Sequence, residues 1–147
     1  MKNPQIDALS GELTADGHKL PIRIYFEDTD FSGVVYHARY LHFFERGRSD
    51  FLRLTGVHHN ELQEGLYGEP LFFVVKGMTL DFIKPARIDD VVHVTTKIES
   101  IKGVRVFMKQ VIEKENQLIA TADLSVVLIN EKGSPKRIPE GLAQALT

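Results

Sequence analysis

The stretch "YFEDTDFSGVVYHARYLHFFERGRSDFLR", Tyr25 to Arg53, contains a change of period. Leading into it, Leu20, Ile22, Ile24 and Phe26 alternate with Pro21, Arg23, Tyr25 and Glu27. That alternation is the signature of a half-buried strand. From Ala38 to Leu54 the period becomes helical: Tyr40, Phe43, Phe44, Gly47, Phe51 and Leu54 form one stripe, with His42, Glu45, Arg46, Ser49 and Arg53 opposite. Gly47 inside the apolar stripe weakens the helix by about 1 kcal/mol relative to Ala, so its presence implies a neighbour too close for a Cβ. Between the two periods lie Glu27, Asp28 and Asp30, then Gly33, with His37 at the door of the helix. Like charges that crowd in this way mark either a solvated turn or a site.

Working outward, a loop containing Gly65, Gly68 and Pro70 follows the helix, and the remainder alternates as strands. Phe72, Val74, Met78, Leu80 and Phe82 form the first set, then Val92, Val94, Thr96 and Ile98. Val104, Val106, Met108 and Ile112 come next, and Leu118, Ala120, Ala122, Leu124, Val126 and Leu128 last. Pro85–Asp90, Ser100–Gly103 and Glu115–Gln117 are short enough for antiparallel hairpins. The expected fold is therefore α+β, with one long helix against a five-stranded antiparallel sheet. One helix covers only one face, so the other face and the edges call for a second chain. Residues 1–17 read as a loose arm, 18–134 as the domain, and 135–147 as a tail in which Pro139 opens a last helical turn.

Composition removes several function classes. A chain of 147 residues fits one domain. The net charge of −2, from 18 basic and 20 acidic residues, provides no cationic field for a phosphate backbone, so nucleic acid is not an expected partner. With no cysteine, disulfides, thiolate metal sites and a cysteine nucleophile are excluded, and a reducing, cytoplasmic location fits. The longest apolar run, Leu71–Val75, is far short of the ~20 residues that span a bilayer. No GxGxxG, P-loop, GxSxG or HExxH motif occurs. His37 and His42 are five apart and share no helical face, and His42 with Glu45 lacks further ligands, so no metal site is expected. Ser32, His37 and Asp30 are the residue types of a catalytic triad, but Ser32 sits in a plain turn without a nucleophile elbow.

The remaining chemistry is in the quoted stretch. Gly33 permits a tight turn, and the first N–H groups of the following helix have no intrahelical partner, so a polarised carbonyl placed there is stabilised. Asp30, seven residues upstream of His37, could face the same point across the turn. A carboxylate opposite amide donors suits acyl transfer to water. The plainer alternative makes Asp30 an Asx-turn residue, His37 a capping or packed histidine and Glu45 a solvated carboxylate. The residues alone leave both readings open.

The same segment resembles the signature of hotdog-fold acyl-CoA thioesterases of the 4-hydroxybenzoyl-CoA thioesterase type, in particular their Tol-Pal-associated bacterial branch. The resemblance continues through "FFVVKGMTLDFIKPARIDD" and "TTKIESIKGVRVFMKQVI", covering about Ile22 to Ile129. It implies a sheet wrapped around one helix, a homodimer holding two active sites at its interface, and dimers joined into a homotetramer. By position, it makes Asp30 the nucleophile or general base, and the His37 amide the donor to the thioester carbonyl, with the imidazole orienting water. Phe26 falls where this branch commonly has a tyrosine in the site. Glu45 falls where relatives place a carboxylate near the acyl pocket. Tyr36, Lys84, Arg87, Lys102, Gly103 and Arg105 are the further substrate contacts implied. Coenzyme A enters as part of the substrate, with no separate cofactor, and an acyl carrier protein is a further implied partner. Two other readings remain: an acyl-CoA or acyl-carrier binding and scaffolding protein, and a hotdog dehydratase or hydratase.

Overall fold

The computed structural model describes residues 8–147. Strand β1 (Glu12–Thr14) and β2 (Gly17–Arg23) lead to a 3-10 turn at Phe26–Asp28, then helix α1 (Arg39–Leu54) and the short α2 (His59–Gln63). Strands β3 (Leu71–Phe82), β4 (Val91–Lys102), β5 (Arg105–Lys114) and β6 (Gln117–Asn130) precede helix α3 (Glu140–Leu146). All described strands belong to one antiparallel sheet in the order β1-β2-β4-β5-β6-β3. Among the described residues, no helix is long and apolar enough to cross a membrane.

The sheet has six strands where alternation implied five. The additional strand lies inside the stretch read as a loose arm, pairing Glu12 with Lys19 and Thr14 with Gly17. Three residues are too few for periodicity to register, and only the turn at Gly17 brings them against β2. Residues 1–7 of that arm lie outside the described residues. Helix α2, within the expected Gly/Pro loop, was likewise too short to register.

The tail set apart as 135–147 is part of the domain. Ile138, Leu142 and Leu146 are buried in the core, and Ile138 N donates to Gly103 O at 2.9 Å. Pro139 does open the last helix, in its N-cap position.

Helix α1 packs on β2 and β4. Its buried stripe is Tyr40, Phe43, Phe44, Gly47, Phe51 and Leu52, the last replacing the expected Leu54. The close approach inferred at Gly47 is present: a Cβ there would lie 2.8 Å from Val94 Cγ1, 3.0 Å from Thr96 Oγ1 and 3.1 Å from Gln110 Nε2. Gln110, an inward polar residue on β5, is fully hydrogen-bonded as its burial requires. Its Nε2 donates to Phe44 O and Thr96 Oγ1, each at 2.8 Å, and its Oε1 accepts from Arg48 Nη1 at 3.0 Å. The network pins the middle of α1 to the sheet. Burial in this network pulls the Arg48 guanidinium below its usual value.

Strand β3 corrects a phase. The register shifts between Val75 and Gly77, so Leu71 and Phe73 face the core before the bulge and Met78 and Leu80 after it. The inward positions expected at Phe72 and Val74 belong to the other face. One extra residue at a bulge exchanges the two faces of a strand. Only β6 pairs with β3, leaving its outer edge free among the described residues.

Candidate active site

The chain leaves the sheet after Arg23, not after Phe26. Phe26 is the first residue of the 3-10 turn and is 81% exposed, so it is not the buried strand position that alternation implied; Tyr25 beside it is also exposed. The turn closes through Asp28 N to Tyr25 O at 3.0 Å and Thr29 N to Phe26 O at 3.1 Å. A second tight loop follows. Asp30 N donates to Val34 O at 2.9 Å, Gly33 N donates to Asp30 O at 3.0 Å, and Thr29 bridges Val35. Gly33 carries this loop at φ 82°, a left-handed backbone that glycine adopts without penalty.

Asp30 projects from this loop into solvent. Its Oδ1 accepts from Ser32 N at 2.8 Å and Ser32 Oγ at 2.6 Å, the pattern of an Asx turn. Oδ2 accepts nothing among the described residues, so one carboxylate oxygen is held while the other is available. The Ser32 hydroxyl, then the Ser32 amide, with a smaller electrostatic pull from His37, hold the carboxyl below its usual 3.8. Asp30 is therefore ionised at neutral pH, as a nucleophile or base requires.

Seven residues on, α1 begins without a side-chain cap and without an acidic residue in its first turn. Among the described residues, neither the His37 nor the Ala38 amide donates a backbone hydrogen bond. Two free N–H groups at the positive end of a four-turn helix can receive a carbonyl oxygen as it gains charge. The His37 ring is exposed, packs 4.6 Å from the Tyr36 ring and meets Phe82 edge-on at 6.2 Å. With Val35, Tyr40, Phe82, Ile83 and Lys84 it lines a cavity of about 260 Å³. Tyr40 is fixed there by its hydroxyl, which accepts from Ala86 N at 3.2 Å; burial raises its pKa.

Asp28 has a different environment from the surface charge its neighbours suggested. Its side chain is 3% exposed, and Oδ1 accepts from Arg39 Nε at 2.9 Å and Nη2 at 2.7 Å. Oδ2 accepts from Tyr25 N at 2.8 Å, and the Asp28 carbonyl accepts from Tyr36 N at 2.9 Å. The sequence showed Asp28 only as one of the crowded carboxylates, suited to a turn or the surface, and did not single out Arg39. The available signal was Arg39 itself, a cation in the first turn of a helix, where the dipole disfavours it unless a carboxylate is at hand.

The other candidates divide into three places. Lys84 shares the His37 cavity, and Arg87 bridges Val34 across the loop, so both belong to the same end of the sheet. Glu45 lies eight residues further along α1, about 12 Å by helical rise. It accepts from Ser49 Oγ at 2.8 Å and lines a separate cavity of about 150 Å³ with Arg48, Leu52, Phe73 and Met108. Lys102, Gly103 and Arg105 form the β4–β5 turn at the opposite end of β4 from Val91, roughly 35 Å away at strand rise. Within one protomer this turn does not meet Asp30 and His37. A larger cavity, about 900 Å³, lies on the outer face over β2, β4 and β5 and holds none of the candidates. No cluster of three or more metal-ligating side chains occurs among the described residues.

An antiparallel sheet packed on one long helix, with a carboxylate loop at the helix start, is the architecture of the hotdog class. Residues 24–146 match the family described as the thioesterase-like superfamily. The chain belongs to that superfamily and is a thioester hydrolase. It is 40% identical over 124 residues to the acyl-CoA thioester hydrolase YbgC of Escherichia coli O6:H1, covering 83% of this chain and 90% of the relative. The acyl-CoA thioesterase YbgC of Haemophilus influenzae is 36% identical over 131 residues, 88% of this chain and 94% of the relative. Among solved structures, a probable thioesterase from Bartonella henselae superposes with a TM-score of 0.81 at 51% identity, covering 83% of this chain and 98% of that one.

Proposed function

We propose that the protein hydrolyses an acyl-CoA thioester to the free carboxylic acid and CoA. The observation that carries this reading is the pairing of an ionised carboxylate, Asp30, with the undonated amides of His37 and Ala38 across one tight loop. The thioester carbonyl oxygen sits on those amides, which stabilise the charge it gains. Asp30 Oδ2 either attacks the carbonyl carbon, releasing the CoA thiolate and leaving an acyl-aspartyl anhydride for water to open, or takes a proton from the attacking water. The His37 imidazole orients that water. Lys84 and Arg87 supply positive charge beside the site for the CoA phosphates. Glu45 and its cavity take part of the acyl group, no cofactor is needed, and the reaction belongs in the cytoplasm.

A second copy completes this site. The free edge of β3 exposes Val74 at 39% and Phe82 at 50%. A two-fold partner paired antiparallel along this edge would lay the far end of its own sheet beside the site end of the first. That arrangement supplies Lys102, Gly103 and Arg105 from across the interface, and pairs of dimers form the tetramer.

The test is thiol release over a panel of short, long, branched and aromatic acyl-CoAs. Asp30→Asn is expected to lower kcat by about 100-fold or more with unchanged melting; full activity in that variant removes the mechanism. The exposure of Phe26, with no hydroxyl at that position, favours one competing reading, a binding or scaffolding protein for acyl-CoA or acyl carrier protein. Tight binding across the panel without turnover would establish it instead.

A further inference from the structure

We propose that the Asp28–Arg39 ion pair is the positioning strut of this site, fixing the Asp30 carboxylate relative to the His37 amide. The proposal rests on the hydrolytic reading above. Asp30 makes no hydrogen bond with the helix start among the described residues: its side chain bonds to Ser32, and its backbone to Gly33 and Val34. Its placement must therefore be transmitted through the residues around it. Asp28, two residues before Asp30, grips both sides of His37. Its carbonyl accepts from Tyr36 N at 2.9 Å and its Oδ1 accepts two N–H groups of Arg39 at 2.7 and 2.9 Å.

The remaining oxygen of Asp28 accepts from Tyr25 N at 2.8 Å, so one buried carboxylate ties together the end of the strand-to-turn segment and both flanks of His37. The other links across the loop, the Thr29–Val35 bridge and the Asp30 N to Val34 O bond, set the loop's width but not the rotation of the helix end. Two nitrogens of one planar guanidinium converging on Oδ1 define that rotation, which a lysine could not do. The exposed Asp30 thus borrows its orientation from a buried neighbour, in the manner of supporting residues behind a reacting group.

The test uses the full chain and an acyl-CoA that the wild type hydrolyses, assayed well below the melting temperature with circular dichroism as the check on folding. Asp28→Asn and Arg39→Gln are each expected to lower kcat about 10- to 100-fold with KM within about threefold, since displacements near 1 Å cost rates of that order. Their double variant is expected to be no slower than the worse single, because both remove one contact. Arg39→Lys, keeping the charge without the fork, should remain closer to Arg39→Gln than to wild type. Should Asp28→Asn not fold, the Arg39 variants, whose side chain is 25% exposed, carry the measurement. Folded variants with kcat within twofold of wild type, or single losses that multiply in the double, overturn the strut. A wild type that hydrolyses no acyl-CoA overturns the thioesterase reading, and the strut with it.

Discussion

Asp28 and Asp30 are two residues apart in one loop and have opposite surroundings. Asp28 is enclosed and neutralised by Arg39, while Asp30 faces water with one oxygen held by Ser32. Spacing left Asp30 open between a turn residue and a site, the family resemblance singled it out, and its backbone closes the tight loop that precedes the helix. Burial of Asp28 was not legible, because it depends on the chain leaving the sheet at Arg23 and folding back onto a helix that starts eleven residues after Asp28. A pH dependence follows for Asp30. Its carboxyl is depressed, so the ionised form persists above the folded pKa and is lost as pH falls through it. The acid limb of kcat/KM that belongs to Asp30 is expected below the usual carboxylate value of 3.8. Ser32→Ala removes the largest cause of the depression and should move that limb upward. A limb at or above the usual value in the wild type would contradict the assignment of Asp30.

At the scale of the element, the helix is legible and its seat is not. The period from Ala38 to Leu54 gave its length, and the misplaced glycine gave its closest contact. The partner surface at that contact, Val94 and Thr96 on β4 with Gln110 on β5, lies 47 to 63 residues away in the chain and leaves no local trace. Gly47→Ala tests the contact. Helix propensity alone would stabilise the variant by about 1 kcal/mol. The added methyl, 2.8 Å from Val94 Cγ1, forces the helix off the Gln110 network, and overpacking of this kind destabilises by about 1–3 kcal/mol. A lower denaturant midpoint is therefore expected, whereas a stabilised variant would show that the helix can shift freely. The bulge in β3 teaches a related lesson. Alternation assigned its faces correctly from Met78 onward and inverted them before Val75, since the residue inserted at the bulge resets the phase.

At the scale of the molecule, the question is what covers the free edge of β3. Long, apolar and unpaired strand edges invite another chain, and natural proteins blunt those they leave exposed. Lys76 at the bulge is the only charge on the Leu71–Leu80 stretch. The proposed two-fold pairing predicts a solution mass of twice the 16.6 kDa chain or a higher even multiple. Val74→Glu would set like charges near one another across the axis, shifting light-scattering mass toward the monomer with a parallel loss of thiol release. A wild type of 16.6 kDa that retains full activity would refute the shared site.

The sequence by itself determined the number and type of the longer elements, the carboxylate loop before the helix, and the family, because period and motif are properties of neighbouring residues. The tertiary structure decided which carboxylate is buried, which face of β3 turns inward, and that Glu12–Thr14 and the last segment join the domain. It also separated the basic turn at Lys102–Arg105 from the site by the length of a strand. Each of these depends on contacts between residues far apart in the chain, whose burial and pairing exist only once the sheet closes on the helix.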